Sequence, residues 1–327
     1  MSNDDQLKVR QTVSKKKSFK ELTIVRDIIF WIDLVGEGQN ENAIFARPFN
    51  EKEAFPQKLT SKKYNIKNNF HGYGGKSYKC IYLKNNFYLI WIDQITNAVW
   101  FQIFKEVASN YRSQKRYLDS VQEPRQLSKS IDGNFDSSFV ISQKNFLYGI
   151  CEINNRDYLF SLNLKKTKQD IYRIKKFKNF AGELSSNTSV SLLSWVEWDS
   201  PYMPWEKNDL CFAQIDLDGE ITKIKKFSDK LINAKKNVSF FQPYWISETL
   251  LVCSEDSSGW WNLLFLDASK IENIFIKKRV ERNFVEYGVP QWVSGITFFS
   301  GDIKDLFCLA KKENNLVVEQ YKDLQFV

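Results

Sequence analysis

The stretch from Phe87 to Trp100 reads FYLIWIDQITNAVW. An apolar and aromatic run ends at Asp93, a short polar gap follows, and Asn97 opens a second apolar run. Short runs rich in aromatic and β-branched residues, bounded by Asp and Asn, read as neighbouring antiparallel strands. The second half of the stretch recurs as Asn or Asp, two mostly apolar residues, then usually an aromatic. It appears as NAIF at Asn42, NAVW at Asn97, DYLF at Asp157, DLCF at Asp209 and NLLF at Asn262, and more weakly as DLFC at Asp305. A strand-like run precedes each copy: IIFWIDLV from Ile28, FYLIWID from Phe87, FLYGICEI from Phe146, SLLSWVEW from Ser191, LLVCSED from Leu250 and ITFFSGD from Ile296. The copies lie roughly 43 to 60 residues apart, close to the period of a four-stranded propeller blade.

The expected fold class is therefore all-β, a β-propeller of four-stranded blades with about six blades present. The units fall at approximately 20–60, 68–130, 135–178, 187–227, 238–280 and 284–327, after a polar N-terminal tail over 1–20. PYWIS at Pro243 matches PQWVS at Pro290, and PQKLT at Pro56 echoes PRQLS at Pro124, as first and last strands of blades. A short helical insertion is allowed only around Glu106 to Gln122, because no sustained 3.6-residue apolar stripe occurs elsewhere.

With 43% hydrophobic and 15% aromatic residues, the 327-residue chain can bury a substantial core. The tail lacks an apolar segment and no later run approaches membrane-spanning length, so neither a secretory signal nor a membrane anchor is expected, and a cytoplasmic location is. Cys80, Cys151, Cys211, Cys253 and Cys308 are far apart, each in an apolar run, and read as buried free thiols rather than metal or redox sites. The formal charge of +8 is spread over turns and strand ends, for example Lys165–Lys166 and Lys225–Lys226, which fits a solvated surface rather than a nucleic-acid face. No metal and no cofactor is expected.

Several longer motifs occur in one order: FHGYGGKSY from Phe70, SWVEWDSPYMPWEKNDLCFA from Ser194, FFQPYWI from Phe240, EDSSGWWNLLFL from Glu255 and EYGVPQWVSG from Glu286. Together with FWIDLVGEGQNENAIFARPF from Phe30, they resemble the N-terminal β-propeller of the prolyl oligopeptidase family of serine peptidases, in particular its acylaminoacyl-peptidase-like and dipeptidyl-peptidase-like bacterial members. The resemblance runs from about Leu22 to Val318. It implies a propeller that precedes an α/β-hydrolase domain and limits access to a Ser-Asp-His triad, so that peptides enter and folded proteins do not. Family propellers typically have seven or more blades, which leaves this one short.

The chain contains no Gly-x-Ser-x-Gly; GGKS and SSGW are its nearest look-alikes, and its only histidine is His71. The expectation is a truncated or split member, non-catalytic by itself, with a separately encoded α/β-hydrolase domain and peptides as partners. The alternative is a stand-alone interaction propeller that binds peptides or proteins.

His71 is a candidate site residue, although Gly72 stands where the family usually has Glu; the competing reading is a histidine satisfied by backbone at a turn. Glu197 and Asp199, and Glu255 and Asp256, could form an amine-binding pair but read more simply as solvated turns. Asp216 to Gly219 reads as a hairpin turn. Trp260 and Trp261 read as a strand start with one ring on each face. Prolines keep Tyr202, Met203 and Trp205 outside the ladder. Antiparallel blade geometry brings the DSPYMPW and SSG turns to the same rim as HGYGG, so His71, Tyr73, Trp198, Tyr202, Met203, Trp205 and Trp260 are the candidate interface or peptide-facing residues.

Overall fold

The computed structural model describes residues 19–35, 41–51, 54–108, 116–216, 218–227 and 237–327. The tail over 1–20 lies almost wholly outside them. The fold is a β-propeller of six blades, each an antiparallel meander, and the chain divides into two compact units. One unit holds the first two blades. The other holds blades three to six together with the segment Asn69–Gly75.

In the first unit, Lys20–Val25, Ile28–Val35, Glu41–Pro48 and Gln57–Lys58 form blade one in sequential order. Blade two is Tyr78–Leu83, Asn86–Asp93, Ala98–Ala108 and Arg116–Ser120, with Arg125–Gln126 paired beside Ala98–Ala108. The stretch FYLIWIDQITNAVW is the central hairpin of this blade, pairing Trp91 with Trp100 and Asp93 with Ala98. Its turn follows from two residues: Asp93 Oδ2 accepts the Thr96 amide at 3.0 Å, and Asn97 takes the left-handed conformation that asparagine tolerates. The helical insertion expected around Glu106 to Gln122 is instead a strand pair, with Val107 opposite Tyr117. The charged residues there alternate across a ladder rather than around a helix. Residues 109–115 lie outside the described set. Phe30, Ile44, Leu89 and Trp91 form the packed layer between these two blades.

In the second unit, blade three comprises Gly133–Phe135, Phe146–Ile153, Arg156–Asn163 and Tyr172–Lys176, with Val140–Ile141 alongside the first. Blade four is Phe180–Ser186, Leu192–Trp198, Asp209–Ile215 and Ile221–Phe227; blade five is Phe240–Trp245, Leu250–Glu255, Asn262–Asp267 and Phe275–Arg279. Blade six is Val285–Glu286 and Phe299–Gly301, both against Leu306–Lys312, then Asn315–Lys322 and Gln325–Phe326. The Asn/Asp motif lies in the third strand or at its entry in blades one to five. In blade six it fails: DLFC opens the second strand, ITFFSGD supplies part of the first, and PQWVS crosses as a loop. That copy was the weakest, without an aromatic at its fourth position.

Every cysteine named above is buried and free. No helix among the described residues is long and apolar enough to cross a membrane. No group of metal-ligating side chains occurs among them.

A device invisible in the repeat joins neighbouring blades. The first strands of blades one, four and five each carry a bulge whose residue is left-handed: Glu21 (φ 52°), Glu183 (φ 58°) and Gln242 (φ 52°). Left-handed backbone costs an L-residue energy. Each side chain reaches the next blade and satisfies its backbone. Glu21 accepts the Ser77 amide at 2.5 Å, Glu183 accepts the Gln242 amide at 2.9 Å, and Gln242 accepts the Phe298 amide at 2.6 Å.

Candidate functional site

The HGYGG turn positions the first candidate. Phe70–Gly72 is a single 3-10 turn in which His71 is left-handed at φ 51°. Gly75 makes an isolated bridge to Ser294, and a Cβ on it would stand 2.5 Å from the Ser294 carbonyl oxygen, so only glycine permits this approach. The imidazole is not satisfied by backbone. Its Nε2 lies 2.8 Å from Oδ2 of Asp157, which is 1% exposed and also accepts the Ala181 amide at 2.7 Å. The carboxylate missing at position 72 is thus supplied by the DYLF motif of blade three. Burial pushes the Asp157 carboxyl above its ordinary range, opposed by the hydrogen bonds and charge it meets at His71 and Ala181.

The second element is the loop after Trp198. Trp195 is fully buried and meets Phe177 edge-on, whereas Trp198 at the strand end stacks on Phe180 at 5.7 Å and 22°. The His71 ring lies edge-on to both, 5.3 Å from Phe180 and 5.6 Å from Trp198. The loop is pinned by Asn208. Its side chain donates to the Pro204 carbonyl at 2.8 Å and the Phe240 carbonyl at 2.7 Å, and accepts the Phe240 amide at 2.8 Å. These hydrogen bonds from one buried amide fix an otherwise irregular segment against blade five.

The third element is the PQWVS loop of blade six. Trp292 meets Trp205 at 4.4 Å and Tyr73 at 6.0 Å. These three elements enclose a cavity of about 240 Å³. His71, Tyr73, Trp198, Tyr202, Met203 and Trp205 all border it. Trp260 does not. It packs on Phe284 at 5.0 Å in a separate cleft beside Glu286 and Lys311. The strand also starts two residues later than expected, at Asn262, so Trp261 packs on Phe241 and Gly288 rather than facing across a ladder. Asn262 explains the delay, because its side chain is spent on the Trp260 and Arg282 carbonyls at 3.2 Å.

Sequence reasoning missed Phe180, Glu183, Gln291 and Trp292, which complete the cavity. Only Trp292 had a signal, in the PQWVS match. Glu183 is 9% exposed, and its oxygens accept from the Gln242 amide and the Gln291 side-chain amide. Burial pushes its carboxyl up to about 8, and the nearby Asp136 adds to this.

The paired carboxylates follow the turn reading only in part. Glu197 meets Lys175 at 2.9 Å and Lys226 at 3.4 Å, and Asp199 meets Lys178 at 2.6 Å. Burial works to raise both carboxyls, but these lysines hold them below their ordinary ranges. With their charge already compensated, they are poor receptors for an amine. Glu255 is not solvated: it is fully buried, 3.4 Å from Arg279. The Asp216 turn is a hairpin as read, with Asp216 accepting the Asp218 amide at 2.9 Å and Gly219 left-handed.

No family model matches the sequence, and no curated protein does. Solved structures do match the fold. Puromycin hydrolase superposes with a TM-score of 0.77 at 16% identity, over 97% of this chain and 47% of its own. Prolyl oligopeptidase B from Galerina marginata gives 0.60 at 11% identity, over 99% of this chain and 46% of its own. The β-propeller domain of the Trilobed protease from Pyrococcus furiosus, described as having an open velcro topology, gives 0.54 at 7% identity, over 96% and 84%. The chain therefore spans about half of the first two and most of the third. In fold it is similar to the propeller part of prolyl oligopeptidase-type peptidases.

Proposed function

We propose that this chain is the non-catalytic, substrate-gating propeller of a prolyl-oligopeptidase-type serine peptidase, acting with an α/β-hydrolase domain that carries the Ser-Asp-His triad. The observation that carries the reading is the fold likeness to puromycin hydrolase, which covers 97% of this chain but 47% of the hydrolase. The described residues fit a non-catalytic role. The cysteines lie in the core with their thiols pushed up by burial, the opposite of an activated nucleophile. The test is association of the purified chain with an α/β-hydrolase domain, followed by peptide hydrolysis by each alone and by the pair. Co-elution, with hydrolysis dependent on the hydrolase serine, supports the reading.

A second reading, a stand-alone peptide-binding propeller, is favoured by one observation: the cavity bordered by Tyr73, Trp205 and Trp292 carries exposed aromatic surface, with Trp292 55% exposed. Peptide binding by the isolated chain, without association with a hydrolase, would favour it.

A further inference from the structure

The chain carries 47 Lys and Arg against 39 Asp and Glu, yet no Lys or Arg borders the aromatic cavity, and Glu183 is its one acidic lining residue. We propose that the cavity between His71, Trp205 and Trp292 is a binding site for a compact organic cation, an alkylated or quaternary ammonium group, with Glu183 as its anionic counterpart.

Four observations carry this. Half of the lining residues carry aromatic rings, and the Trp205–Trp292 pair is tilted at 41° rather than stacked, with Trp292 still 55% exposed. Ring faces attract ammonium groups through the aromatic quadrupole, most strongly for tryptophan. A ring bordering the cavity meets an ammonium group on its outer side, since Lys207, which is not a lining residue, stands with Nζ 5.5 Å over the Tyr202 ring. Glu183 itself is short of positive charge. Its donors are neutral amides, no ion pair to it or to the buried Asp136 occurs among the described residues, and Asp136 opposes its ionisation. The donors to Asp136 are likewise neutral, the hydroxyls of Ser294 and Ser138. Finally, a cavity of about 240 Å³ accepts one compact group rather than a drug-sized molecule.

The site works through charge compensation. An entering ammonium group supplies the countercharge that Gln242 and Gln291 cannot, and its alkyl carbons cover ring surface that is otherwise wet. Burial places the Glu183 carboxyl at about 8, so it ionises as the pH rises through that value and cation affinity rises with it. The other titratable groups around Glu183 and the cavity are Asp136 from blade three, Cys253 from blade five, the His71–Asp157 pair, the lining phenols Tyr73 and Tyr202, and Lys207 over the Tyr202 ring. This inference goes beyond the gating reading and does not depend on it, since the cavity belongs to the isolated chain.

The probes are choline and its uncharged carbon isostere 3,3-dimethylbutan-1-ol, titrated into the full chain by calorimetry and tryptophan fluorescence. At pH 9 choline should bind at least about tenfold more tightly than the isostere, as expected for a desolvated cation on aromatic faces beside a carboxylate. Its affinity should fall toward pH 6.5, while that of the isostere stays level. Glu183→Gln should shrink the preference to within about twofold and remove most of the pH dependence. If Glu183→Gln does not fold, the exposed Trp292→Ala variant decides: native-like melting with lost choline binding supports the site. Equal affinity for the two probes, binding of neither, or an undiminished choline preference in Glu183→Gln or Trp292→Ala overturns it.

Discussion

The imidazole of His71 and the carboxylate of Asp157 meet at 2.8 Å across 86 residues of sequence. The pair ties the HGYGG turn to the third strand of blade three, and through the Ala181 amide to the first strand of blade four. One buried carboxylate therefore holds together two blades and one wall of the cavity.

Replacing Asp157 by Ala leaves the Ala181 amide and the His71 ring without an acceptor in a buried place. The expected cost is about 2–4 kcal/mol, while His71→Ala, at a partly exposed side chain, costs about 1–2 kcal/mol. Urea denaturation of both variants and the double mutant should give a coupling of about 1–2 kcal/mol. Strict additivity would mean that the contact does no more than its separate parts.

Glu183 makes stability depend on pH in a stated direction. Its folded pKa is raised to about 8, so the fold binds this proton more tightly than the unfolded chain does. The contribution is complete below the ordinary glutamate range and is lost as the pH rises through about 8. Between pH 6 and 8 the native chain should lose on the order of 2 kcal/mol relative to Glu183→Gln. Denaturant midpoints of the two proteins at matched pH measure the difference, and parallel profiles would contradict it.

Gly75→Ala forces a Cβ to 2.5 Å from a carbonyl oxygen at φ 149°. The bridge to Ser294 must open, at a cost of about 1–3 kcal/mol. Because Trp292 lies on the same loop, its fluorescence should change with the substitution. An unchanged emission spectrum with native stability would show that the bridge is dispensable.

Asn208→Ala removes four hydrogen bonds that tie the aromatic loop to blade five, and strands the Phe240 amide and carbonyl. A loss of about 2–3 kcal/mol is expected, with limited proteolysis appearing first between residues 199 and 207. Cleavage elsewhere first would place the weak point outside this loop.

The fold class was legible because a blade repeats local chemistry. An Asn or Asp beside each third strand, as at Asn97 and Asn262, is a short-range requirement that sequence spacing exposes. The aromatic loop was legible for a similar local reason, since its prolines forbid the ladder around Tyr202 and Met203. What stayed hidden depends on partners distant in sequence. Asp157 looked like a strand entry until His71 met it, and Glu183 sits in the unremarkable run FAGELSS. Its role follows from a bulge that turns the side chain toward Gln242. Trp260 was misplaced because Asn262 claims the backbone carbonyl before the strand begins. Glu197 was misread because it lies within the strand Leu192–Trp198, neutralised by Lys175 and Lys226, whereas Asp199 is the partly exposed turn residue that was expected.

The central claim is that this propeller restricts access to a hydrolase rather than performing chemistry. It is tested most directly by cleavage of one recognition sequence, presented as a short peptide and within a folded protein, by an α/β-hydrolase domain with and without this chain. The account predicts no cleavage by the pure chain, cleavage of the peptide by the pair, and protection of the folded substrate only when the chain is present. Cleavage by the pure chain, or equal cleavage of both substrates by the pair, would contradict it.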